Sequence, residues 1–400
     1  MGRVYLEDSN TPIYRRIVHA LGAELTRCGM EVLLVNPEGF DNSTFHQFIS
    51  QVGEAVYISN RSDNAILEKL SGTEIFFFEI FPGKLIFLHQ DAFLGDSSLL
   101  ECISKLRAWK RVDKRAVHLC IEPDNVADLA SVGITNAIVV RHATEIEPAE
   151  PSIDNFEYGA TFVGHVVPGT YMAMENEQSI QNLGAEAMQL RCSDFSRPLE
   201  PLVKAYSDDA LNGLGNQDDQ TILQVACRQW LRNEITGLTL PLRGWVFENC
   251  DIQPLTIFGG DPAYINGMVR DLRIERTGIG YHPAVYDARE VRHLYNKSRV
   301  SINISSLQFD HAVVNRFHDV IMSGGLCLTD ARSGLAELTS AHAEVSWRTL
   351  KELHEKTDYY SRPENVRHRA LLIKAIQKDI ACNAGYPLLA QTVLEVINAL

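Results

Sequence analysis

Along the first 140 residues, short apolar runs alternate with stretches whose apolar positions recur at helical spacing. The runs predict strands at 4–6, 31–35, 55–58, 74–80, 84–88, 116–121 and 137–140. After the first strand, a polar loop from Glu7 to Pro12 leads into a helix. Its apolar positions Ile13, Ile17, Leu21 and Leu25 lie on one face, and Gly29 ends it. Strands alternating with helices in this way pair in parallel and predict a Rossmann-like sheet.

The pattern breaks near residue 147, where Glu147-Pro148-Ala149-Glu150-Pro151-Ser152 reads as an acidic, Pro-rich linker. A second domain then opens at Thr161-Phe162-Val163-Gly164. Residues 170–235 read as polar helices, and strands return at 255–258, 277–281, 300–304 and 326–328. Ser361-x-x-Glu364 with Pro363 has the form of a capping box opening a helix to about Cys382, and a last helix follows over 388–400. The expected architecture is α/β: a Rossmann-like domain over 1–155, a second over 156–385 containing the helical segment 170–235, and a terminal helix from 386. Two such open sheets place a cleft at the carboxyl ends of their strands, where ligands bind.

Composition narrows the partners. With 45% hydrophobic and 22% charged residues, the 400-residue chain can build two ordinary cores of roughly 150–200 residues each. A net charge of −14 argues against a nucleic-acid partner, which would need a basic face. No apolar stretch is long enough to span a bilayer, and the start lacks the charge-then-apolar order of a secretory signal. The eight cysteines form no Cys-x-x-Cys and read as reduced thiols, so a cytoplasmic location is expected. The thirteen histidines show no zinc spacing with cysteine, and no metal site is expected.

The chemistry concentrates in residues 315–330, Asn-Arg-Phe-His-Asp-Val-Ile-Met-Ser-Gly-Gly-Leu-Cys-Leu-Thr-Asp. On a helix, Arg316, Asp319 and Ser323 share one face, while Phe317, Val320, Ile321 and Gly324 make the inward one. Gly324 and Gly325 then allow a tight turn into a short strand. A helix opening at a cleft offers free N–H groups to a diphosphate, and a carboxylate one turn further in can accept ribose hydroxyls. Read from the residues alone, Arg316 and Asp319 could equally pair with each other on a solvated face.

This segment resembles the nucleotide-sugar helix of GT-B glycosyltransferases, specifically the CgeB-like group within the family 1-like transferases. That group shows Asn-x-Arg-x-Phe-Glu-Ala-Met-Ala-Cys-Gly before a short apolar strand. Here Asn315-Arg316-Phe317 lacks one intervening residue, and Asp319 stands where Glu is usual. Tyr295-Asn296-Lys297-Ser298 through Asn303, Phe162-Val163-Gly164, and Gly334 to Leu338 resemble further stretches of the same group. The resemblance spans about residues 160–400. It implies a GT-B-like fold and a metal-independent, hexosyltransferase-like enzyme with a UDP-, GDP- or dTDP-linked donor and no further cofactor. It implies that Asp319 binds the donor ribose, that Arg316 or Lys297 meets the pyrophosphate, and that Asn315, Asn303, Gly324 and Gly325 belong to the donor site. Where the wider fold carries Glu-x7-Glu, this chain has His311 and Asp319, which leaves the stereochemical outcome open. The resemblance implies that the region of Tyr281 contacts the base, and Gly259, after the strand at 255–258, could lie beside the base or simply turn the chain.

An inverting reaction also needs a general base on the acceptor side. Asp8, after the first strand, and His89 and Asp91, after the strand at 84–88, are the candidates. Each could instead be an ordinary loop or capping residue. The acceptor could be a carbohydrate, a protein or a small molecule, and a homodimer is compatible with the chain. Two other readings share the same site: a nucleotide-sugar epimerase, and a non-catalytic binding protein.

Overall fold

The computed structural model describes residues 2–9, 11–36, 39–60, 76–91, 93–95, 97–166, 178–212, 217–259 and 279–400. The chain divides into two compact units, Met1–His142 with Val203–Asn233 and Gly385–Leu400, and Ala143–Leu202 with Glu234–Ala384. This differs from the continuous domains 1–155 and 156–385. The helical segment is divided between the units, and the terminal helix belongs to the first.

The first unit is a parallel sheet of β1 (Arg3–Glu7), β2 (Glu31–Val35), β3 (Val56–Ser59), β4 (Lys84–His89), β5 (Ala116–Cys120) and β6 (Ala137–Val139). Their order is β2-β1-β3-β4-β5-β6. The inner strands are buried on both faces, as in parallel sheets covered by helices on both sides. Among those helices are α1 (Pro12–Arg27), α2 (Asn42–Val52), α3 (Phe77–Ile80), α4 (Leu99–Val112) and α5 (Pro123–Ser131). Helix α1 buries Ile17, Leu21 and Leu25 as its spacing predicts, whereas Ile13 in its first turn is exposed.

Of the strand expected over 74–80, residues 74 and 75 lie outside the described residues, and 77–80 are instead the helical turn α3. An apolar run alone cannot separate a strand from a buried helical turn. The neighbours decide it. The Arg115 guanidinium donates to the carbonyls of Phe78, Glu79, Phe81 and Gly83, and the Glu79 carboxylate accepts from the Phe76 N–H.

The second unit is likewise a parallel sheet, of β7 (Tyr158–Val163), β8 (Leu255–Phe258), β9 (Ile279–His282), β10 (Ser298–Asn303), β11 (Cys327–Asp330) and β12 (Ser346–Trp347), in the order β12-β11-β10-β7-β8-β9. Its helices, following α6 (Gln178–Ser193), α7 (Glu200–Ala210) and α8 (Gln217–Thr236), include α9 (Thr239–Asn249), α10 (Ala288–Lys297), α11 (Asn315–Met322), α12 (Ser333–Leu338) and α13 (His342–Val345). The chain then runs through α14 (Leu350–Ser361) and α15 (Val366–Asn383) to α16 (Tyr386–Ala399). Helix α16 packs on α1, and its Ile397 carbonyl accepts from Lys84 Nζ.

Ser361 does not open the penultimate helix; it is the last residue of α14. That helix starts earlier because the Thr349 hydroxyl accepts from the Glu352 N–H. Pro363 then disfavours helical geometry at Arg362, and a short 3₁₀ turn intervenes before α15.

Candidate functional site

In the second unit, β7, β8, β10 and β11 end at Val163, Phe258, Asn303 and Asp330. Several polar side chains gather at this carboxyl edge. Helix α11 starts there with Val314 at its cap and no side chain capping it, so its first N–H groups face outward from the turn. Phe317, Val320 and Ile321 are fully buried and fix the helix against the sheet, as the sequence pattern predicts. Ser323, expected on the solvated face, is buried because it has passed the helix end.

Arg316, in the first turn of α11, reaches back across the strand ends. Its Nη1 donates to Asn303 Oδ1 at 3.0 Å, and its guanidinium lies 5.2 Å from the Phe162 ring centre. Arg243 of α9 approaches the same ring at 5.7 Å. Arg243 donates to the carbonyls of His165 and Ile304 at 3.3 and 3.4 Å, both long. Burial pushes the Arg243 pKa down to about 9, and the Arg316 charge pushes the same way while Asp330 opposes it. Two guanidiniums thus share one aromatic ring in a chain of net charge −14.

Backbone shape explains why they can meet. Gly164 has φ of 151°, and a Cβ there would lie 2.9 Å from Arg316 Nη2. A Cβ on Gly259 would lie 2.0 Å from the Gly164 carbonyl oxygen. Both glycines are therefore needed where β7 and β8 end. Asp330 is buried at the end of β11: its Oδ1 accepts from the Ser305 N–H and hydroxyl at 2.9 and 2.8 Å. Its Oδ2 lies 2.5 Å from Arg332 Nη2, an ion pair whose angle does not make it a hydrogen bond.

Of the sequence-predicted residues, Arg316, Asn303 and Gly259 are brought to this edge, with Asn315 and Asp319 on the same helix. Asn315 Oδ1 is buried without a hydrogen bond, and Asp319 is half-buried one turn further in. Tyr281 sits on the edge strand β9; burial and the nearby Glu248 push its hydroxyl pKa up. Three others are placed elsewhere. Lys297 ends α10 at the amino end of β10, about 20 Å along that strand from Asn303. Gly324 and Gly325 lie beyond the far end of α11, where a Cβ on Gly324 would meet Asn296 Nδ2 at 2.5 Å and one on Gly325 the Tyr295 carbonyl at 2.6 Å. Their close approach is to the chain itself. His311 lies at the carboxyl edge, in the loop between β10 and α11, and turns toward α12, its Nδ1 2.9 Å from Ser333 Oγ and its carbonyl accepting from the Gly334 N–H.

The acceptor-side candidates lie in the first unit. Asp8 Oδ1 accepts from the Ser9 N–H at 2.9 Å and from Arg15 Nε at 3.4 Å, while Asp91 accepts from the Tyr14 hydroxyl. His89 is in the core rather than at an open strand end. Its Nε2 lies 2.9 Å from His118 Nδ1, the two rings stack 5.2 Å apart, and Trp109 and Phe93 close around them. Burial, with Lys105 adding to it, pushes the His89 pKa down to about 3, and burial holds His118 low as well. A side chain so enclosed cannot reach a substrate hydroxyl. Glu7, beside Asp8, is buried as well and accepts from Tyr57 and Ser59.

No sequence pattern singles out Arg243. It lies some seventy residues from Arg316, in a helix with no motif, and only the fold brings the two together. A cavity of about 340 Å³ opens at the opposite, amino end of this sheet beside Phe156, Arg299 and His354, and another of about 740 Å³ lies past the end of β11, between Arg332, Arg348 and Lys356. Neither is lined by Arg316 or Asp319, so cavity size does not locate the guanidinium pair. Residues 260–278, including Gly260 and Asp261, lie outside the described residues. Among the described residues, no helix is long and apolar enough to cross a membrane, and no group of three or more His, Cys, Asp or Glu is placed to hold a metal.

Residues 245–386 match a family model described as glycosyl transferase-like. No curated protein sequence matches the chain. Among solved structures, the chain is similar to Anabaena HepE in complex with UDP-glucose, at 10% identity over 100% of both chains and a TM-score of 0.56. It is also similar to sucrose-phosphate synthase from Thermosynechococcus elongatus, at 11% identity over 100% of this chain and 99% of that one, TM-score 0.53. A third is an alpha-glucosyltransferase in complex with UDP and a 13-mer DNA, at 10% identity over 99% of each chain, TM-score 0.54. At such identities the likeness is one of fold, and the two parallel-sheet units have a GT-B-like fold.

Proposed function

We propose that this chain is a glycosyltransferase that holds a nucleoside-diphosphate sugar at the carboxyl edge of its second sheet and passes the sugar to an acceptor. The observation that carries the reading is the guanidinium pair, Arg243 and Arg316, against Phe162. Asp330, whose charge acts on Arg243, is already engaged by Arg332 and Ser305, which leaves the positive charge of the pair to a ligand. A diphosphate suits two such cations beside an open helix start. The same groups would stabilise the negative charge that builds on the departing nucleotide.

The match of residues 245–386 to a glycosyl transferase-like model supports this reading, as do fold neighbours solved with UDP or UDP-glucose. We assign UDP as the first nucleotide to test, Asp319 as the ribose ligand, and Tyr281 and Gly259 as the residues nearest the base. The CgeB-like grouping, metal-independent transfer and a cytoplasmic location belong to the same proposal. A thermal-shift panel of UDP, GDP, dTDP, ADP and CMP tests it, with stabilisation by one diphosphate expected. A flat response across the panel refutes it. Hydrolysis of the matching nucleotide sugar should survive EDTA, and a requirement for Mn²⁺ would remove metal independence.

A second reading, nucleotide-sugar binding without transfer, is favoured by one observation. His89 lies in the core, and Asp8 and Asp91 are engaged by side chains of α1. Binding without any hydrolysis of the nucleotide sugar would select it.

A further inference from the structure

Arg316 is held by a neutral amide. Asn303 is fully buried at the end of β10, and its Oδ1 accepts from Arg316 while its Nδ2 donates to Thr329 Oγ1 at 2.9 Å and Ser305 Oγ at 3.4 Å. The register of β10 and β11 places Asn303 opposite Thr329, so this contact is built into the sheet. Both hydroxyls in turn face Asp330 Oδ1, Ser305 at 2.8 Å and Thr329 at 3.3 Å.

The carboxylate, with the Asp330 carbonyl 3.4 Å from Thr329 Oγ1, sets the direction of the hydrogen bonds in this relay. A carboxylate only accepts, so the hydroxyls give it their protons and turn lone pairs toward Asn303. Those lone pairs require the amide to present its NH₂ group to them, which leaves its oxygen facing Arg316. Arg332 meanwhile neutralises Asp330 from the other side, at 2.5 Å. The relay orients Arg316 without cancelling its charge.

We propose that Asn303 is a positioning residue of the diphosphate site, a neutral holder that Asp330 orients through Ser305 and Thr329. The sequence resemblance places Asn303 among residues that touch the ligand, but full burial gives it this different task. The inference rests on the proposed function. An Asp at this position would have the same shape but would pair with Arg316 as a charge, competing with phosphate for it.

The test compares UDP with uridine by titration calorimetry, in wild type and Asn303→Asp. Uridine affinity should be unchanged, while UDP affinity falls about tenfold or more, because one charge-assisted contact is lost. Thr329→Val, which keeps the packing and removes one hydroxyl of the relay, guards against an Asp variant that fails to fold. It should weaken UDP about threefold to tenfold and leave uridine unchanged. A constant ratio of UDP to uridine affinity in folded variants, including a proportional loss of both, overturns the positioning role alone. A wild type that binds neither ligand overturns the site reading, and this inference with it.

Discussion

The histidine pair in the first unit makes acid stability a sharp test of the structure. His89 and His118 are buried and neutral, with the His89 pKa pushed from 6.5 to about 3 and that of His118 also well below its usual value. In the unfolded chain each would take a proton near pH 6.5. Below that pH the unfolded state binds more protons than the folded one, so stability falls as pH falls. The contribution is complete above pH 6.5 and is lost progressively down to about pH 3. For His89 alone the loss between pH 7.5 and 4.5 is about 2.6 kcal/mol, at about 1.4 kcal/mol per unit once below 6.5. Urea unfolding at several pH values measures it, and Trp109 is a local reporter, its ring 5.4 Å from His89 and 5.0 Å from His118. The variant His89→Asn/His118→Asn should be less stable at pH 7.5 yet lose less on acidification. Wild-type and variant curves running parallel from pH 7.5 to 4.5 would refute the buried, neutral assignment. They would also reopen His89 as a catalytic base.

Three further outcomes follow from the second unit. Arg316→Ala should weaken UDP binding by about 1.5–3 kcal/mol, read by calorimetry, since a hydrogen bond to a charged group is removed; unchanged affinity would make Arg316 part of a structural contact only. Gly259→Ala should be destabilising by thermal unfolding, because its Cβ would lie 2.0 Å from the Gly164 carbonyl oxygen and backbone must move. Asp310→Ala should cost about 3–5 kcal/mol in urea unfolding. It strands the fully buried Arg191 and removes the acceptor for the Leu199 and Glu200 N–H groups at the start of α7; a loss below 1 kcal/mol, the scale of a surface pair, would contradict that burial.

The chain itself determined the alternation of strands and helices. Seven of the strands named from sequence in the two units start and end within one residue of those found, because buried parallel strands are short apolar runs between turn signals. The inward face of α11 was equally plain, since helical period alone assigns Phe317, Val320 and Ile321 to it. Local pattern failed where a distant partner decides the outcome. Arg115 turns 77–80 into a helix, and Thr349 starts α14 early enough to absorb Ser361.

The candidate site divides in the same way. Arg316 and Asn303 were legible because both lie in a motif of nearly contiguous residues. Arg243 was not, because a guanidinium in an unremarkable helix acquires meaning only when the fold stacks it on Phe162. Gly324 and Gly325 fall at the far end of α11, since a helix of eight residues separates its two ends by about 12 Å. Tertiary structure enclosed His89, which as the last residue of β4 could have faced solvent. Sequence spacing determines which face of an element a residue occupies, but burial, charge pairing and the partners across the sheet arise only when separate elements meet.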